Sequence, residues 1–189
     1  ATVDVTPPAV LLSTPTGGQV LTSNLTASAT ASDDNQVKSV VFAMDGAVKL
    51  TDTAAPYQYA IPVSTLVNGS HTLTATATDY ANNASSHTIV FVASYDRTPP
   101  GDPASVFIKY PTVSGFTVTW SAATDNVGVA GHRLDLSLTP TFATYVSGYQ
   151  NLNVGNVLSR AITGLAAGTT YHARVRAYDA NGNVSVNNI

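Results

Sequence analysis

Four histidines (His71, His87, His132 and His172) and eleven acidic residues, every one of them Asp, carry most of the chemistry open to this sequence. None of the histidines stands at a metal-ligand spacing or beside an acid and a nucleophile. With no Glu in the chain, a glycosidase pair would need two Asp, and each Asp here lies near a turn or on a strand face. There is no Cys, hence no thiol nucleophile, no Cys-ligated zinc and no disulfide framework. These residues predict no enzyme and no cofactor.

The elements that position these residues follow from the rest of the chain. Its 189 residues are 44% hydrophobic and 10% charged, an apolar share that suits a packed core rather than a disordered chain. A net charge of −3 argues against a nucleic-acid partner. No apolar run approaches the roughly 20 residues of a membrane-spanning helix. An all-Asp acidic set favours turns over helix interiors. Alternation with period two is widespread. Leu25–Ser32 and His71–Thr78 place apolar residues on one face and hydroxyls on the other, the pattern of a half-buried strand. Lys38–Met44, with Val40, Phe42 and Met44 on one side, and His87–Ala93 are further strands. Asp45-Gly46 predicts a tight hairpin, and Asn68-Gly69 a second turn.

The chain also repeats itself. Asp4-Val5-Thr6-Pro7-Pro8 recurs as Asp96-Arg97-Thr98-Pro99-Pro100, and Ser32-Asp33-Asp34-Asn35 is echoed by Thr124-Asp125-Asn126. Thr78-Asp79-Tyr80-Ala81-Asn82-Asn83 returns as Tyr178-Asp179-Ala180-Asn181-Gly182-Asn183. A period of about half the chain predicts two similar modules, residues 1–97 and 98–189, divided at the Thr-Pro-Pro. The first carries net charge −4 and the second +1. The expected fold is all-β, two tandem immunoglobulin-like sandwiches of about seven strands each.

The second half resembles a fibronectin type III domain. Gly115-Phe116-Thr117-Val118-Thr119-Trp120 is similar to that family's second strand, with Trp120 as the core tryptophan. Gly164-Leu165-Ala166-Ala167-Gly168-Thr169-Thr170-Tyr171 is similar to the corner before strand F. The resemblance implies that Leu165 plugs the core and that the Tyr171 hydroxyl bonds back to the upstream backbone. The first half resembles a bacterial immunoglobulin-like domain, through Ala31–Asn35, Val40–Gly46, Ala55-Pro56-Tyr57 and Asn68–Asp79. Both resemblances imply sandwiches, and neither implies a reaction.

In such folds the chain start and two loops meet at one end of the sandwich. That gathers Asp4, Asp33, Asp34 and Asp79 in the first module, and is expected to gather Asp96, Asp125 and Asp179 at the inter-module junction. The latter three are the candidate calcium ligands, weighed against simple Asx turns, and the expectation is a metal-independent pair. Alternation along 171–178 sends His172, Arg174, Arg176 and Tyr178 outward beside Arg133 and Asp135, with Phe142, Tyr145 and Tyr149 bordering the sheet. Arg133, Arg174, Arg176, Tyr178, Tyr145 and Tyr149 therefore form a candidate face for an acidic glycan, set against an ordinary solubilised sheet face. Four Asn-x-Ser/Thr tripeptides fit a Ser/Thr/Asn-rich composition, and no Arg-Gly-Asp is present. The chain reads as a monomeric spacer or interaction module cut from a larger secreted or surface-exposed bacterial protein. Its partners are neighbouring domains, a polysaccharide or a cell-surface protein. A carbohydrate-binding module of an extracellular polysaccharide-degrading enzyme is the alternative. Ala1 is read as following a cleavage or cloning boundary, and Ile189 as ending inside a last strand that starts near Val184.

Overall fold

A computed structural model describes residues 3–186. The chain divides into two compact units, Ala1–Tyr95 and Asp96–Ile189, just ahead of the division expected after Arg97.

In the first unit, β1 (Ala9–Thr14), β3 (Leu25–Ser32) and β6 (Tyr57–Ile61) form one antiparallel sheet in the order β1-β3-β6. The second sheet contains β2 (Val20–Leu21), β4 (Val37–Met44), β5 (Ala47–Asp52), β7 (Gly69–Asp79) and β8 (Ala84–Ala93), in the order β2-β8-β7-β4-β5. Period-two alternation decides which side chains enter the core between them. Ala27 and Ala29 of the first sheet face Val40, Phe42, Met44, Leu73, Ala75 and Phe91 of the second, all buried. Small alanines opposite phenylalanines let the two layers interdigitate. On the wet face the hydroxyls pair across strands, Thr74 with Thr88 and Thr76 with Ser86, each at 2.8 Å. The Asp45-Gly46 hairpin has positive φ at both residues (50° and 79°), as a primed two-residue turn requires. The Asn68-Gly69 turn works differently: Asn68 pairs its side chain with the Tyr95 backbone, donating to the carbonyl at 3.0 Å and accepting from the amide at 2.9 Å.

In the second unit, β9 (Val106–Thr112), β10 (Gly115–Trp120) and β13 (Ser159–Thr163) form a sheet in the order β13-β10-β9. Strands β11 (Val129–Ser137), β12 (Leu152–Gly155) and β14 (His172–Asp179) form the other, in the order β12-β11-β14. Val118, Trp120, Leu134, Leu136, Ile162, Leu165 and Val175 are buried between them. Trp120 and Leu165 thus sit where the resemblance puts them, and the Tyr171 hydroxyl accepts from the Ala166 backbone N–H at 3.0 Å. The expected last strand begins with an isolated bridge from Val184 to Tyr178, and its continuation over 187–189 lies outside the described residues. Among the described residues the first unit has eight strands and the second six, on either side of the expected seven.

Candidate functional site

Asp135 is the pivot of the second unit's sheet face. Strand alternation points it away from the core, yet it is fully buried. The segment between β11 and β12 folds back along β11 and covers that face. Val146 donates its N–H to the Leu136 carbonyl at 2.8 Å, and the Leu136 N–H donates to the Tyr149 carbonyl at 2.9 Å. Beneath this cover Asp135 Oδ2 accepts from Arg174 Nε at 3.0 Å and Arg176 Nη2 at 2.9 Å, and Oδ1 accepts from the Asn151 N–H at 2.6 Å. Arg176 also donates to the Asn151 side chain. Arg174 lies 4.4 Å over the Phe142 ring and reaches the Tyr145 hydroxyl at 3.3 Å.

The expected outward glycan face is corrected here. Arg174 is 7% exposed because Phe142 and Tyr145 of an irregular loop without periodicity lie against it. Tyr149 packs against the core, and Tyr145 is spent on Arg174. Of the six candidates only Arg174 is buried; the other five are half-exposed, with Arg133, Arg176 and Tyr178 beside one another. Arg133 sits 5.1 Å over the Tyr178 ring, whose hydroxyl donates to Asn153 at 3.0 Å. Tyr178 lies close over Gly131, where an added Cβ would meet its hydroxyl at 2.6 Å.

The histidines hold structure together. His71 contacts Asp45 Oδ2 at 2.6 Å and the Val67 carbonyl at 2.7 Å. The Val67 carbonyl, then Asp45, raises its pKa. His87 Nδ1 accepts from the Leu12 N–H at 3.2 Å and so ties β8 to β1. His132 is buried against Trp120, with ring centroids 5.6 Å apart and no hydrogen-bond partner on either ring nitrogen. Burial lowers its pKa. His172 is half-buried at the start of β14.

Three acids assemble within each unit, the expected set in the second and the expected set less Asp79 in the first. In the second, oxygens of Asp96, Asp125 and Asp179 lie within 4.8 Å of one another; in the first, those of Asp4, Asp33 and Asp34 do. Asp79 acts beside that triad as a clamp: its Oδ1 accepts from the Asn83 N–H at 2.8 Å and its Oδ2 from the Asn83 side chain at 2.7 Å, and the same amide donates to the Asp4 carbonyl at 3.2 Å. Asp179 and Asn183 repeat the clamp at 2.9 and 2.7 Å. The sequence reading identified the acids but missed Asn83 and Asn183 as clamps, although both stand four residues after the paired Asp in the repeat.

The two units define a class: tandem immunoglobulin-like β-sandwiches. Residues 8–75 match the family model of the bacterial Ig domain, and the second unit has the tryptophan and tyrosine corner of a fibronectin type III domain. The chain is 37% identical to chitinase A1 of Niallia circulans over 122 residues, covering 61% of this chain and 16% of that one. It is 31% identical to exoglucanase B of Cellulomonas fimi over a 195-residue alignment, covering 97% of this chain and 16% of the relative. The chain therefore spans about a sixth of the length of these relatives. Among solved structures, the fibronectin(III)-like modules of Clostridium thermocellum CbhA are similar at 30% identity and a TM-score of 0.41, covering 47% of this chain and all of that one. Among the described residues, no helix is long and apolar enough to cross a membrane.

Proposed function

We propose that this chain is a non-catalytic spacer and interaction module of a larger extracellular polysaccharide-degrading enzyme. The observation that carries this reading is the internal neutralisation of the arginine face. Asp135 engages both Arg174 and Arg176, and the covering loop sets Phe142 and Tyr145 on Arg174. A glycan-binding face keeps such groups free for a ligand, whereas here they stiffen a sheet. Similarity to limited parts of a chitinase and an exoglucanase supports a place beside such catalytic domains. In this role the chain is a monomer whose partners are the neighbouring domains of its own polypeptide.

The second reading, a carbohydrate-binding module, is favoured by the half-exposed Arg133, Arg176 and Tyr178. A glycan array at low ionic strength separates the two. The spacer reading expects no hits. Salt-sensitive hits on acidic glycans, lost when Arg133→Ala and Arg176→Ala are combined, would establish the binding module instead, because exposed charges are screened by salt.

A further inference from the structure

Each acidic cluster leaves two carboxylate oxygens without a partner. In the second unit Asp96 Oδ1 accepts from the Thr98 N–H at 3.0 Å and the Asn126 side chain at 3.1 Å. Asp125 Oδ2 accepts from the Val127 and Gly128 N–H groups at 3.0 and 2.9 Å. Their other oxygens, Asp96 Oδ2 and Asp125 Oδ1, are shut from solvent and meet no donor. The first unit repeats the backbone part of this pattern, with the exposed Asp34 as its third carboxylate in place of a counterpart of the buried Asp179. Asp4 Oδ1 accepts from the Thr6 N–H at 3.0 Å, and Asp33 Oδ2 from the Asn35 and Gln36 N–H groups at 3.0 and 3.1 Å. Asp4 Oδ2 and Asp33 Oδ1 are again buried and unpartnered. A recess of about 260 Å³, lined by Val3, Asp4, Val5, Thr6, Asp34 and Asn35, opens beside them.

An unpaired anionic oxygen removed from water is costly, and each cluster also brings one oxygen from each of three carboxylates within 4.8 Å of the others, where like charges repel. The opposite oxygens already accept their backbone N–H bonds. A cation removes the repulsion without disturbing them. The donors are all carboxylate oxygens, with no imidazole or thiolate among them, which selects a hard ion with a flexible coordination shell. We propose that each unit binds one Ca²⁺ ion, held by Asp4, Asp33 and Asp34 in the first and by Asp96, Asp125 and Asp179 in the second. This departs from the metal-independent pair expected from sequence, and it does not depend on the spacer reading.

The test is calorimetric titration of the chelator-treated full chain with CaCl₂, beside thermal melts in CaCl₂ and in EGTA. The expected stoichiometry is two, falling to one in Asp33→Asn and to one in Asp125→Asn. Saturating calcium is expected to raise Tm by at least about 5 °C. Trp120 is the only tryptophan, so its fluorescence reports the second unit and its calcium response should vanish in Asp125→Asn alone. Absence of binding heat with superimposable melts overturns the proposal. A stoichiometry of one overturns it for the unit whose variant leaves the titration unchanged. If either variant fails to fold, the wild-type titration and melts decide alone.

Discussion

Arg174 donates its Nε to Asp135 at 3.0 Å across neighbouring strands, and both residues are buried although strand alternation turns them away from the core. Desolvating a charge pair costs about as much as the pair returns, so its removal is informative only when done asymmetrically. Asp135→Ala leaves Arg174 buried without a counter-charge and should lower the second unit's stability by about 3–5 kcal/mol. Replacing both, as Asp135→Leu with Arg174→Met, should cost much less. Urea unfolding followed by Trp120 fluorescence measures both variants.

Trp120→Ala should cost about 3–5 kcal/mol, since the side chain is 5% exposed within the second core. Tyr171→Phe removes only the hydroxyl that accepts from Ala166 and should cost about 1 kcal/mol. The tyrosine variant can be followed by the same fluorescence, and the tryptophan variant by circular dichroism. A Trp120→Ala loss under 1 kcal/mol would contradict the core assignment.

Two histidines give the units opposite pH responses. His132 is held neutral by burial, with its pKa below the ordinary 6.5. Its contribution is full above pH 6.5 and is lost as pH falls from there through the folded value. His71 is raised by the Val67 carbonyl and Asp45, so its contribution is full below pH 6.5 and is lost as pH rises through the folded value. Melts from pH 5 to 8 should show the second unit weakening in acid by fluorescence, with His132→Phe flattening the profile. His71→Asn should remove the acid-side gain of the first unit in circular dichroism.

Gly115 has no room for a side chain: an added Cβ would lie 2.3 Å from the Ile162 carbonyl oxygen on the neighbouring strand. Backbone cannot step aside without breaking the β10–β13 ladder, so Gly115→Ala should cost roughly 1–3 kcal/mol. At Gly131 the obstacle is the end of the Tyr178 side chain, which can rotate away. Gly131→Ala should therefore cost less, and paired chemical melts compare the two.

The elements governed by period two were legible in the sequence. Val40, Phe42 and Met44 share a buried face as their spacing requires, and the loop placement of the resembled folds gathers Asp96, Asp125 and Asp179, and Asp4 with Asp33 and Asp34 but without Asp79. The cover over Asp135 was not legible, because residues 138–151 have no periodicity and their course is set by contacts with β11 that the sequence pattern does not encode. Arg174 was consequently placed outside. The unpartnered oxygens of Asp96 and Asp125 were equally hidden, since they depend on which oxygen each backbone N–H occupies in two separate segments.

The central claim, that the sheet face is spent on internal contacts and the chain works as a spacer, is tested most directly by co-sedimentation with insoluble chitin and with cellulose at low ionic strength. The account predicts that the chain stays in the supernatant with both polymers. Retention on either polymer, reversed by salt and reduced by combining Arg133→Ala with Arg176→Ala, would contradict it.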